Sequence, residues 1–188
     1  NKLFSCSDDG IILVWDTVTH KRGWMGYGRC GGHVTCLTLY DYGDKLFSGS
    51  YDYTIHVWNA DTRKHLATLE GHTSWVLCLT LYGNKLFSGS GDSTIRVWNA
   101  DTHRHLATLE GSTTTVMCLT LYRNKLFSGS KDKTIRVWTA DTHKHLATLK
   151  GHTESVNCVT LYGNKLFSCG DDMTIRVWDA DTYKHLAT

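Results

Sequence analysis

Proline is absent from all 188 residues. That removes the residue that most readily interrupts hydrogen-bonded strands and leaves the turns to Gly, Asn and Asp. Long apolar runs are missing as well: none approaches the roughly 20 residues of a spanning helix, and no signal peptide precedes the first predicted strand. Charge of one sign is also lacking. Lys and Arg number 20 against 18 Asp and Glu, a formal net charge of +2. The basic residues are spread along the chain, so neither nucleic acid nor an anionic membrane is an expected partner. Among the seven cysteines there is no CxxC pair, which argues against a zinc site or a disulfide framework.

What is present repeats. Trp58, Trp98, Trp138 and Trp178 stand 40 residues apart. Asp52, Asp92, Asp132 and Asp172 precede them by six residues, and Ser48, Ser88, Ser128 and Ser168 lie four residues earlier still. A period of this size marks units that cannot bury their own faces and must stack on copies of themselves. Cys36, Cys78, Cys118 and Cys158 share one repeat position. Displaced by a whole unit, they are too far apart for a bridge spanning ~4.4–6.8 Å between Cα atoms. Cys6 and Cys169 share a second position, held elsewhere by Gly49, Gly89 and Gly129, and Cys30 stands alone. All seven read as small buried hydrophobes of a reducing compartment, the cytoplasm or the nucleus.

Residues 71–109 serve as the type unit. Val76 to Tyr82 predicts a strand apolar on both faces, with Val76 and Cys78 on one side and Leu77, Leu79 and Leu81 on the other. Such a strand is sandwiched between neighbouring sheets. Gly83-Asn84 predicts a two-residue hairpin of type II′. Lys85 to Ser90 and Thr94 to Trp98 follow as strands, and His105 to Leu109 as a short polar outer one. Four strands per unit, tightly connected, predict an all-β fold, a blade of a β-propeller. The Val/Ile/Thr/Trp strands weigh against a helical solenoid of similar period. The units run 1–29, 30–69, 70–109, 110–149 and 150–188, the first without its innermost strand. About five blades are therefore expected, an open or partial propeller forming a single domain, which alone leaves faces exposed at both ends or closes imperfectly as five blades. The start at Asn1 in mid-repeat suggests part of a longer propeller. Open edges of this kind invite self-association.

Gly71-His72, Ser88-Gly89-Ser90, Asp92 and Thr94-Ile95-Arg96-Val97-Trp98-Asn99 resemble the WD40 repeat, in register along the whole chain. Only Trp15-Asp16 and Trp178-Asp179 keep the literal dipeptide, and Asn59, Asn99 and Thr139 replace the Asp elsewhere. The style of repeat is similar to the WD40 regions of RING-type ubiquitin ligases and myosin heavy chain kinases. The resemblance implies a buried relay in which Trp98 donates to Ser88, Ser88 bonds His72 and His72 bonds Asp92. A Ser/His/Asp set could also suggest a hydrolase, but a catalytic triad is needed once and this set recurs. No catalytic residue is assigned. Blade five keeps His152, Ser168, Asp172 and Trp178, whereas blade four has Ser112 where His belongs. Asp132 is therefore expected to rely on water or backbone N–H groups. In blade two His33 fills the role only if a shortened loop permits. The family's Gly five residues past the Trp is replaced by His20, Arg63, His103, His143 and Tyr183, so positive φ is expected at His103 and His143.

Variation between copies is where a binding surface can be specialised. The position before the repeated Asp holds Asp8, Tyr51, Gly91, Lys131 and Asp171. In the resembling family it opens on the top face beside the central channel. The start of the innermost strand holds Trp75, Thr115 and Ser155, with Glu154 beside the last. Residues 20–33, with Trp24 and Tyr27, depart from the template as a specialised contact or as a degenerate edge blade. Trp75, Tyr51, Lys131, Asp8, Asp171 and Glu154 are the candidate partner-binding residues, Trp75 and Tyr51 foremost because aromatic residues dominate interface hot spots. A Trp75 that merely caps its own strand is the competing reading. His103 and His105, like His143 and His145, place two imidazoles on one side of an extended segment, but no further ligand completes a metal set. Neither a metal nor a cofactor is expected. The function expected is a non-enzymatic scaffold binding a peptide or protein on its top face, as the recruiting module of a ubiquitin ligase or kinase. The resemblance gives no support for docking to a cullin-4 adaptor, because Val18, Asp61, Asp101, Asp141 and Asp181 stand where an Arg would be needed. A structural assembly element with no top-face ligand is the alternative.

Overall fold

A computed structural model describes residues 2–26, 33–40 and 44–188. The first sheet has three strands, β1 (Lys2–Cys6), β2 (Ile12–Asp16) and β3 (Arg22–Gly26). Four sheets of four strands follow. The second joins β4 (Val34–Tyr40), β5 (Lys45–Ser50), β6 (Ile55–Asn59) and β7 (His65–Leu69). The third joins β8 (Val76–Tyr82), β9 (Lys85–Ser90), β10 (Ile95–Asn99) and β11 (His105–Leu109). The fourth joins β12 (Val116–Tyr122), β13 (Lys125–Ser130), β14 (Thr134–Thr139) and β15 (His145–Lys150). The last joins β16 (Val156–Tyr162), β17 (Lys165–Gly170), β18 (Ile175–Asp179) and β19 (His185–Ala187). Every pairing is antiparallel between chain neighbours, so each sheet is a propeller blade and the five form an open arc.

The hydrophobic core lies between blades. Phe47, Ile55, Val57 and Leu69 of blade two pack against Val76, Leu86, Trp98 and Ala100 of blade three. The same residue types recur one unit on at the next two interfaces. Blades two to four therefore each bury one face under the next blade and the other under the preceding one, as expected for a repeat that cannot fold alone. On blade five the corresponding face is open: Ile175 is 63% exposed, whereas Ile55, Ile95 and Ile135 are at most 1% exposed. At the other end Leu3 of β1 is 59% exposed.

Simple alternation along the inner strand does not hold. A bulge between Val76 and Cys78 inserts one residue and reverses the parity of the rest of the strand. Val76 thus shares a core with Leu79 and Leu81, while Cys78 faces the next blade, its Sγ 3.9 Å from Val116 O. The two-residue turn keeps its expected shape, with φ of +55° at Gly83 and +58° at Gly163 and with Arg123 accepting +51° at the same place. The turn after each Trp is left-handed as the sequence implies: φ is +63° at His103 and +62° at His143, and also positive at His20, Arg63 and Tyr183. These imidazoles diverge. The rings of His105 and His145 meet the edges of Trp98 and Trp138 at 5.3 and 5.2 Å, whereas His143 turns toward Phe87 of the preceding blade.

A repeated polar contact also ties the blades together. Lys45 Nζ donates to the carbonyl of Ala100 at 3.0 Å, Lys85 to that of Ala140 at 3.2 Å and Lys125 to that of Ala180 at 3.0 Å. Each Lys reaches the turn after the next blade's Trp.

Candidate functional surface

The shared polar residues are structural in every complete blade. In blade three Trp98 Nε1 donates to Ser88 Oγ at 2.9 Å, His72 Nε2 meets the same hydroxyl at 2.7 Å and His72 Nδ1 meets Asp92 Oδ2 at 2.7 Å. Blade five repeats the relay through Trp178, Ser168, His152 and Asp172 at 2.9, 2.8 and 2.8 Å. Burial pushes the Asp92 carboxyl up, but hydrogen bonds from His72, Thr94 and the Thr73 backbone outweigh it and hold it well below the usual carboxylate range. With every member buried and satisfied, the set fixes one blade geometry.

The two irregular blades solve the same problem differently. Asp132 of blade four does take backbone N–H groups, from Thr113 at 3.2 Å and Thr134 at 3.1 Å. The place of the missing His is filled by a charge, however. Arg136 swings inward so that Nη1 lies 2.6 Å from Asp132 Oδ2 and 3.3 Å from Ser112 Oγ. In blade two His33 does not enter the relay. His56, on β6 at the position of Arg96, puts Nε2 3.2 Å from Asp52 Oδ2. His33 is exposed instead.

The variable positions are brought together along one rim by a recurring backbone bond. Tyr51 N donates to His33 O at 3.0 Å, Gly91 N to Trp75 O at 2.9 Å, Lys131 N to Thr115 O at 3.0 Å and Asp171 N to Ser155 O at 3.0 Å. The residue before the repeated Asp thus sits beside the start of its own inner strand in each of these blades. Between blades two and three the side chains also join. The Tyr51 and Trp75 rings stack at 4.7 Å with planes 20° apart, and His33 lies 5.2 Å from Tyr51. His33 Nδ1 in turn approaches Asp8 Oδ1 of blade one to 3.5 Å. Trp75 is 45% exposed and Tyr51 37% exposed, so Trp75 is not a core residue. A Cβ at Gly91 would lie 2.6 Å from Ser74 Oγ, next to Trp75.

Lys131 is exposed one blade further on, and among the described residues no side-chain contact joins it to the aromatic pair. Glu154 is engaged by Lys133 at 3.2 Å, and Asp171 accepts from Asn157 at 2.5 Å. Of the six residues singled out, Asp8, Tyr51 and Trp75 are therefore linked through His33, which the sequence offers only as a relay residue. Its position before the β4 strand, equivalent to Trp75 before β8, was the signal that could have found it. Tyr27 and Cys30 lie outside the described residues, and nothing is assigned to the side chain of Trp24. No group of three or more His, Cys, Asp or Glu residues placed to hold a metal ion occurs among the described residues.

The family described as WD domain, G-beta repeat matches residues 27–59, 63–99, 103–139 and 143–179. Among curated proteins, a U3 snoRNP-associated protein-like protein of Arabidopsis thaliana is 35% identical over 71 residues, covering 38% of this chain and 15% of that protein. The mitogen-activated protein kinase kinase kinase A of Dictyostelium discoideum is 32% identical over 80 residues, 42% of this chain and 8% of the kinase. Mouse transducin-like enhancer protein 2 is 36% identical over 56 residues, 30% of this chain and 7% of that protein. The chain thus matches only a small part of each relative's length. Among solved structures, the computationally designed Ika8 protein superposes with a TM-score of 0.81 at 34% identity, covering 96% of this chain and 56% of the designed one.

Proposed function

Because the chain belongs to the WD40 repeat family, whose repeats generally act as non-catalytic scaffolds for protein–protein interaction, we propose that it captures a peptide or protein partner on the rim lined by Asp8, His33, Tyr51 and Trp75. The observation that carries this reading is the stacked Tyr51–Trp75 pair, which spans two blades and stays partly exposed. A rigid aromatic platform of this kind supplies large contact area with little conformational entropy to lose. Lys131, Glu154 and Asp171 lie further round the rim and would meet the partner's polar groups. The finer version is a recruiting module for a kinase or a ubiquitin ligase. The similar stretch in the Dictyostelium kinase supports the former, and the style of the repeat supports the latter. Cytoplasm or nucleus is the compartment the cysteine usage favours.

The test selects peptides from a displayed random library against the folded chain and measures their affinity by fluorescence anisotropy. Trp75→Ala should weaken binding by more than about 1 kcal/mol, roughly fivefold, and leave the urea midpoint in place. Unchanged affinity, or unfolding of the variant, would overturn the assignment. The second reading is a structural assembly element, favoured by the uncovered face of blade five with Ile175 63%, Met173 97% and Tyr162 81% exposed. In that case Ile175→Lys, not Trp75→Ala, should change the molar mass measured by light scattering.

A further inference from the structure

Blade five breaks a pattern that the three preceding blades keep. Cys36, Cys78 and Cys118 each face a glycine across the first hairpin, Gly49, Gly89 and Gly129. Glycine is needed there: an added Cβ would lie 2.6 Å from the facing Sγ and 2.7 or 2.8 Å from a valine of the following blade. In blade five the residue facing Cys158 is Cys169, and both are exposed. Directly opposed residues on antiparallel strands have Cα atoms about 4.5 or 5.5 Å apart, within the roughly 4.4–6.8 Å span of a disulfide. The sequence alone suggests buried, inert cysteines throughout, and the exposure of these two departs from that.

We propose that Cys158 and Cys169 form a cross-strand dithiol, a site of reversible oxidation whose substrate is a low-molecular-weight disulfide such as oxidised glutathione. The Cys158 thiolate attacks one sulfur of that disulfide. The external S–S bond breaks, one small thiol leaves with the bonding electron pair, and a mixed disulfide remains on Cys158. The Cys169 thiolate then attacks the Cys158 sulfur and expels the second small thiol. Two protein thiols lose two electrons and two protons in all, and the external disulfide is reduced to two thiols. Burial, followed by the neighbouring Cys169, pushes the Cys158 thiol up, so exchange should quicken as pH rises above neutral. The inner cysteines provide the contrast: burial pushes Cys36 and Cys118 up to about 12, and they should stay reduced.

The experiment treats the folded chain with excess oxidised glutathione at mildly alkaline pH, blocks free thiols with a maleimide and digests with trypsin. Cleavage after Lys150, Lys165 and Arg176 puts Cys158 and Cys169 into separate peptides, 151–165 and 166–176, each with one cysteine. The expected product is these two peptides joined, lighter by two hydrogens and separated by dithiothreitol, in monomeric protein. Cys169→Gly restores the residue of the inner blades, and it should leave Cys158 trapped as the mixed disulfide. The proposal is overturned if Cys158 and Cys169 each keep their own glutathione, if both remain free, or if the joined peptides occur only in covalent dimers.

Discussion

Ser112→His restores the residue that the repeat pattern asks for, and it is expected not to stabilise the protein while Arg136 is present. In blades three and five the imidazole bridges Ser and Asp with contacts of 2.7 to 2.8 Å. In blade four the same Asp132 Oδ2 is already taken by Arg136 at 2.6 Å, and that guanidinium also reaches Thr134 Oγ1 at 2.8 Å. Both side chains are nearly buried, 12% and 9% exposed. A histidine at 112 must displace the guanidinium, exchanging one hydrogen bond to a charged group for another, each worth about 1.5–3 kcal/mol. The net change should fall within about 1 kcal/mol of zero.

Arg136→Ala tests the other half. Breaking a buried ion pair costs about 3–5 kcal/mol when the remaining charge is left alone. Asp132 would keep the Thr113 and Thr134 N–H groups and the Thr134 hydroxyl, so a loss of about 1.5–3 kcal/mol is expected. Adding Ser112→His to Arg136→Ala should recover at least about 1 kcal/mol. Urea unfolding of the four proteins gives the coupling directly. A gain of 1 kcal/mol or more from Ser112→His alone, or coupling below about 0.5 kcal/mol, would show that Arg136 is not the substitute for histidine.

The carboxyls of Asp52, Asp92 and Asp132 are held below their ordinary value despite burial. Their stabilisation is therefore complete above the unfolded value near ~3.9 and lost as pH falls through the folded ones. Chemical denaturation should show stability declining below about pH 4, and Asp92→Asn should flatten that decline. Gly89→Ala should destabilise by about 1–3 kcal/mol, because its Cβ meets Cys78 and Val116, and Cys78→Ala in the same protein should recover part. An unchanged thermal midpoint for Gly89→Ala would refute the crowding.

The fold was legible because its strongest signals are periodic. The 40-residue step of Trp58, Trp98, Trp138 and Trp178 identifies the unit, and the strand limits of 76–82, 85–90 and 105–109 follow from turn residues at fixed offsets. The side assignment within the inner strand was not legible. The bulge between Val76 and Cys78 reverses the alternation, and nothing in Val-Leu-Cys-Leu announces it. The rim was half legible: Tyr51 and Trp75 stood out as aromatic exceptions, but their stacking joins different blades and depends on how those blades pack. The lysine ties between blades were missed although Lys45, Lys85, Lys125 and Lys165 repeat in register, because an exposed-looking Lys at a hairpin has an ordinary explanation as a solvated charge.

The relay shows why a missing motif residue is a poor guide to a missing interaction. Blades two to five each hold a largely buried carboxylate that accepts from the threonine two residues on, and an unpartnered buried charge is strongly unfavourable. The demand therefore belongs to the aspartate and not to the histidine. Blade three meets it from the loop before its inner strand with His72, blade two from its third strand with His56, and blade four from that same strand with Arg136. His56 and Arg136 occupy equivalent positions four residues after their aspartates, a spacing that brings their side chains back over the carboxylate. The equivalent Arg96 and Arg176 leave that role to histidine in their own blades. His56 and Arg136 of the third strand thus take the place of the loop histidine in blades two and four. With His56 serving Asp52, His33 is free to stand exposed between Asp8 and Tyr51. The departure from the template in the core is what makes the departure on the rim compatible with a folded blade.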